Sequence, residues 1–355
     1  MTTIPTEPIG SIPRPEHLQS ALAQFAAGTL SAEELATHHQ KALADTIDLF
    51  AATGSPVITD GEQAKPSFAT YPLTGASNLA ADGVVIPFAD GHTRQLPRLA
   101  EGPFRYHVQA DTYLRAARDL TDLPVKQAVI SASALSLLYP ADGIDGYSRE
   151  QFLSDLVEGA VGDIRRCLDA GADSVQLDFT EARLSLKLDP SGGLLRSFVD
   201  LNNQVLDRFT ELERAQIGVH TCPGGDQDSV HSLDVDYTDL LPALFELNAG
   251  RFYVQLASES DPQRVLRSIA GRLRPGMRIF IGVIDPINQR TESVEDVRDR
   301  VLQAAQHIPI DQLGTCDDCG FSPFADDTST SRDVAFAKIT ARVEGTRLAE
   351  AALGG

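Results

Sequence analysis

The sequence predicts an α/β protein closed into a (β/α)8 TIM barrel, and three observations predict it. Eight short β-branched or apolar runs alternate with longer stretches of helical spacing. Every crossover between consecutive runs is long, which makes the strands parallel. No linker, solenoid-length repeat or low-complexity tract divides the chain, so residues 1–355 read as one domain.

Taken in order, the first run is 8–12 (PIGSI) and the second 56–59 (PVIT). The rhythm then breaks at about 80–107, a stretch rich in Gly and Pro that reads as an inserted hairpin or lid. The third and fourth runs are 126–131 (KQAVIS) and 174–178 (SVQLD). Between them a helix over 149–170 places Phe152, Leu156, Val161, Ile164 and Leu168 at three- or four-residue intervals. A second helix over 194–213 carries Phe198, Leu201, Val205 and Phe209. Runs five to seven are 217–222 (IGVHTC), 252–256 (FYVQL) and 278–285 (RIFIGVID). Ser293 followed by acidic residues starts a helix over 293–307. The eighth run, 312–316 (QLGTC), precedes a closing helix over 332–353.

Composition narrows the function. Thirty basic against 50 acidic residues give a formal charge of −20, which disfavours nucleic acid and anionic lipid and leaves a small molecule as the partner. Four cysteines cannot frame a chain of this length with disulfides, and no run of 18 apolar residues exists to span a bilayer. The N-terminal stretch lacks a basic start followed by an apolar core, so the expectation is a cytoplasmic protein with free thiols or metal ligands.

In such a barrel the chemistry gathers where strands end. Those positions hold Ser11 and Arg14, the Asp60-Gly61-Glu62-Gln63 run, Asp178 and Glu181, His220-Thr221-Cys222, Glu259, Asp285, and Cys316-Asp317-Asp318-Cys319-Gly320. His220 and Cys222 are two apart on a strand and share a face. A third soft ligand, Cys319 or Cys316, would complete the three protein ligands of a catalytic zinc and leave one position open. A lone His-x-Cys is usually incidental; another Cys on the same rim changes that reading. The CDDC segment also fits a redox pair or half a zinc knuckle, although no helix directly follows it. Cys167 lies mid-helix among apolar neighbours and reads as a small hydrophobe. Any one of Asp60, Glu62 and Asp178 alone reads as a cap or solvated loop acid; three at strand ends of one barrel point to a ligand.

Ile9-Gly10-Ser11, Asp60-Gly61-Glu62, Val175-Gln176-Leu177-Asp178, Val219-His220-Thr221-Cys222 and Asp318-Cys319-Gly320, in this order, resemble the catalytic barrel of the cobalamin-independent methionine synthase family. The resemblance covers nearly the whole chain and is closest to short, core-only members, a group that includes the zinc-dependent transferase joining epoxides to coenzyme M. It implies a barrel of the methionine synthase/uroporphyrinogen decarboxylase type that holds zinc through His220, Cys222 and Cys319. A Glu is implied as the fourth ligand, for which Glu259 is favoured over Gln255. It further implies that Ser11 lies near the carboxylate of an amino-acid substrate, that Glu62 and Asp178 hold its ammonium, and that Asp285 serves the proton chemistry. Where the family has Asp-x-His, this chain reads Asp285-Pro286-Ile287, and it has no Trp to stack on a pterin.

The activity implied is zinc-dependent S-methylation of homocysteine to methionine from a methylfolate or methylcorrinoid donor. The implied partners are a thiol and a methyl donor, with a corrinoid protein among the candidates. Two other readings stand beside it: a zinc-dependent alkyltransferase or carbon-sulfur lyase acting on another thiol, and a non-catalytic zinc barrel that binds a thiol.

Overall fold

Six of the eight runs become strands of one parallel sheet, ordered around the barrel as they occur in the chain. The computed structural model describes residues 3–354. The strands are Lys126–Ile130, Ser174–Asp178, Ile217–Thr221, Arg251–Val254, Arg278–Ile284 and Leu313–Asp317. Nearly every residue in them is buried, as expected for a sheet covered on both faces.

The first two runs close the ring with less pairing than expected. Thr6 bridges Thr315 in parallel, and Ile58 bridges Val125. The two runs meet each other where Ile12 donates its N–H to the Gly61 carbonyl at 3.0 Å and the Thr59 hydroxyl donates to the Gly10 carbonyl at 2.8 Å. Pro5, Pro8, Pro13 and Pro56 supply no N–H, which accounts for bridges standing where longer ladders were predicted.

The helices follow their caps. Ser148 and Gln151 form a capping box on Arg149–Asp169, and Ser293 and Asp296 form one on Val294–Ala304. The closing helix is Arg332–Leu353. The stretch predicted as one helix over 194–213 is two, Gly193–Leu206 and Glu211–Arg214, because Thr210 and Glu213 form a fresh capping box.

The segment after the second run forms two antiparallel pairings, Leu79–Ala80 with Arg98–Leu99 and Val85–Pro87 with Thr93–Gln95. Its tip lies on the loop that follows the fifth barrel strand, where Ala89 donates its N–H to the Val230 carbonyl at 3.0 Å. No described helix is long and apolar enough to cross a membrane.

Candidate metal centre and its cavity

Register sets the site. Asp178 stands opposite His220 across neighbouring strands, and His220 stands opposite Tyr253 on the other side. The chain leaves the fifth strand at Thr221, placing Cys222 one turn of the pleat beyond His220 on the same side. The loop then needs Gly224: its φ is +73°, and a Cβ there would stand 1.7 Å from the His231 ring. In this conformation the Gly224 N–H points at the Cys222 sulfur, 3.4 Å away.

The third sulfur arrives from the eighth strand through a device that was not legible in the sequence. A register shift between Gly282 and Ile284 opens a bulge opposite that strand's end. A Cβ on Gly282 would lie 1.7 Å from an Asp318 carboxylate oxygen, so the glycine makes room for that side chain. Asp318 then accepts N–H groups from Leu256, Ala257 and Ser258 at 2.8, 3.0 and 2.7 Å, tying the eighth loop to the sixth. Cys319, the next residue, is held against the fifth loop.

The result is a buried group of His220, Cys222 and Cys319 whose ligand atoms all lie within 4.8 Å of one another. The two sulfurs are 2.9 Å apart, too far for a disulfide and close enough for one ion. Their mutual hydrogen bond lowers Cys319 and raises Cys222. Both ring nitrogens of His220 are buried without a hydrogen-bond partner. A buried imidazole left unpaired beside two thiols is a poor arrangement for a plain core and a suitable one for a soft divalent cation. Cys316 is outside the group; its sulfur faces the Phe280 carbonyl among Ile9 and Tyr253. Cys167 is buried within its helix.

Glu259, expected as a ligand, stands outside the group formed by His220, Cys222 and Cys319. Its carboxylate takes Arg183 Nη1 at 2.7 Å, and Gln255 Oε1 takes the same nitrogen at 3.0 Å. Arg183 is almost fully buried and needs this compensation, so both candidates for a fourth ligand are committed to it. Asp285 was expected to serve the proton chemistry. It does not line the cavity, and its carboxylate accepts the Ile287 N–H at 3.1 Å, capping a turn. Burial raises its pKa above the ordinary value.

Ser11, Glu62, Asp178 and His220 line one cavity of about 540 Å³. Ser11 Oγ accepts the Ser322 N–H at 3.2 Å, and Gly320 has no room for a Cβ beside it. Glu62 follows Gly61, and both have positive φ, +56° and +63°; at a non-glycine residue that strain is typical of functional loops. Its carboxylate is paired with Lys65 Nζ at 3.0 Å, both side chains being buried. Asp178 accepts Gln176 Nε2 at 2.7 Å, and burial pushes it up to about 7 although His220 pulls the other way. The cavity is roofed by the inserted hairpin through Ile86, Phe88, Arg94 and Leu96. Arg94 and His92 grip the buried Asp226, which lies four residues past Cys222. Sequence reasoning missed Arg183, and it placed Asp318 at a strand end and Asp226 in a loop without seeing what they bind; those roles rest on partners more than 50 residues away, which no local pattern signals.

A family model described as "Cobalamin-independent synthase, Catalytic domain" matches residues 4–335. A methionine synthase of Saccharolobus solfataricus is 21% identical over 351 residues, covering 97% of this chain and 94% of that protein. A 5-methyltetrahydropteroyltriglutamate–homocysteine methyltransferase of Ralstonia pickettii is 22% identical over 89% of this chain, but only 39% of that longer protein is matched. Among solved structures, a B12-independent methionine synthase from Shewanella sp. W3-18-1, in complex with selenomethionine, superposes with a TM-score of 0.77 at 20% identity, covering 99% of both chains. That likeness shows the barrel fold.

Proposed function

Because the chain belongs to the cobalamin-independent methionine synthase family, whose catalytic domain it matches over nearly its whole length, we propose that it transfers a methyl group to the thiol of homocysteine, with zinc held by His220, Cys222 and Cys319. The observation that carries this reading is the convergence of one unpaired imidazole and two thiols on a single point in the wall of a closed barrel. Thiolate and imidazole donors select zinc over hard cations, and three protein ligands leave a position for substrate sulfur. When bound, zinc supplies the acidity that deprotonates a thiol at neutral pH, where a free thiol with a pKa of about 8.5 is mostly protonated.

The remaining work falls to the chain's own side chains. Ser11 meets the substrate carboxylate. Asp178 and the oxygen of Glu62 not used by Lys65 receive its ammonium, fixing sulfur toward the metal; positioning of this kind is worth up to ~7 to 11 kcal/mol. The hairpin above excludes water from the reacting sulfur. The family's cobalamin independence leaves a corrinoid protein without support as a partner.

The test is production of methionine from homocysteine by zinc-loaded protein given 5-methyltetrahydropteroyltriglutamate or small methyl donors, with cobalt(II) replacing zinc to report thiol binding by its absorption. No spectral change with homocysteine and no methionine from any donor would end the proposal.

A further inference from the structure

One carboxyl group on the cavity wall is left without a role by this reading. Glu181, on the first turn of the helix after Asp178, lines the cavity and is buried. Its Oε1 accepts the Ser131 hydroxyl at 2.6 Å and the Ser133 hydroxyl as well. Those donors are fixed in turn: Ser131 Oγ accepts the Ala134 N–H at 3.0 Å, and Ser133 Oγ accepts Asn202 Nδ2 at 2.8 Å. One oxygen of Glu181 is thus locked in place by three elements of the fold. The other, Oε2, has no partner.

Among the described residues, no cation on the cavity wall is available to it. Arg94 is the sole Lys or Arg on the described cavity wall, and it is committed to Asp226 and Asp326. His231, also on the wall, is pushed down to about 4 by burial and is neutral. Four carboxyl side chains share the wall, Glu62, Asp178, Glu181 and Asp326, together with the rings of Phe68 and Phe88. Carboxylates and aromatic rings around an apolar chamber favour a positive charge. Near the metal ligands, the loop after the seventh strand packs Ile287 on Gly225: its Cδ1 lies 2.8 Å, and the Cys319 sulfur 3.9 Å, from where a Cβ of Gly225 would stand.

Resting on the methyl-transfer reading above, we propose that Glu181 is the counter-ion of a cationic methyl donor, one whose transferable methyl is carried by a sulfonium or quaternary ammonium centre. The bookkeeping closes without an acid. The thiol gives its proton to solvent, the sulfur lone pair forms the new S–CH3 bond, and the electrons of the old bond return to the onium atom. That atom leaves as a neutral thioether or tertiary amine and needs no proton. Burial pushes Glu181 up to about 7, and a bound cation would draw it into the ionised form.

Binding to the metal-loaded full chain is measured by calorimetry with S-methylmethionine, with trimethylglycine, and with the carbon isostere of trimethylglycine in which tert-butyl replaces trimethylammonium. The expected result is that the wild type binds at least one onium compound, and that Glu181→Gln weakens this binding at least about tenfold while homocysteine binding, read from cobalt(II) absorption, changes less than about threefold. Where trimethylglycine binds, its isostere binds at least about tenfold more weakly to wild type, a comparison that needs no variant. The proposal is overturned if neither onium compound binds, if trimethylglycine binds but no better than its isostere, or if Glu181→Gln leaves onium binding unchanged or weakens homocysteine binding equally. Failure of homocysteine to perturb the cobalt spectrum would count against the acceptor instead and is read separately.

Discussion

Replacing Arg94 with Ala should release the hairpin that roofs the cavity. The guanidinium gives Nε and Nη2 to the two oxygens of Asp226, whose side chain is fully buried, and Nη1 to Asp326 at 2.9 Å. Hydrogen bonds to a buried carboxylate contribute ~1.5 to 3 kcal/mol each. The Asp326 arm, with that carboxylate 67% exposed, contributes only about 0 to 1 kcal/mol. His92 keeps its own contact to Asp226 at 3.1 Å, which retains part of the latch. The net loss is about 2 to 4 kcal/mol in the opening free energy, or roughly 30- to 1,000-fold faster amide exchange at one decade per 1.4 kcal/mol. The informative amides are Phe88, bonded to the His92 carbonyl, Leu96, bonded to Val84, and Ala89, bonded to Val230. Hydrogen exchange by mass spectrometry should show the increase over 84–96 with barrel amides such as Phe179 unchanged. Exchange within about threefold of wild type across the hairpin would refute the latch and show that apolar contacts alone hold it.

Three more outcomes follow from the same geometry. Cys319→Ser should weaken zinc binding by more than the ~10- to 100-fold lost with an outer-sphere partner, whereas Cys316→Ser should retain full stoichiometry by metal analysis. Glu259→Ala should keep its zinc yet lower stability by about 2 to 3 kcal/mol in denaturant titration, because Arg183 loses its carboxylate while keeping the Val235 and Leu233 carbonyls; zinc loss with stability unchanged would restore Glu259 as a ligand. Glu181 has a folded value near 7 against an ordinary 4.5, so the folded chain holds that proton more tightly; stability should fall as pH rises through this window and level off above it. Glu181→Gln should remove up to about 3 kcal/mol of that fall, measured as the difference between wild-type and variant stability at pH 4 and pH 8.

Much of this protein was legible in the order of its residues. Parallel strands buried on both faces need apolar β-branched runs, and six such runs became strands within a residue or two of their expected ends. Period two along the fifth strand was enough to put His220 and Cys222 on one side, and the rule that strand ends gather at one rim pointed to a Cys from the eighth. Local chemistry also fixed helix starts at Ser148 and Ser293, since a capping side chain reaches only three residues.

Tertiary structure decided what sequence spacing could not. Whether Glu259 coordinates a metal depends on whether a competing cation stands nearer, and that cation, Arg183, comes from a helix 76 residues earlier. Whether Cys319 or Cys316 reaches His220 depends on a bulge at Gly282 and on where the Asp318 carboxylate finds its three N–H donors. The vacant oxygen of Glu181 and the grip of Arg94 on Asp226 are likewise properties of distant neighbours. Periodicity reports which way a side chain faces, because that is set by the backbone within a few residues. What the side chain meets there is set by the closure of the barrel.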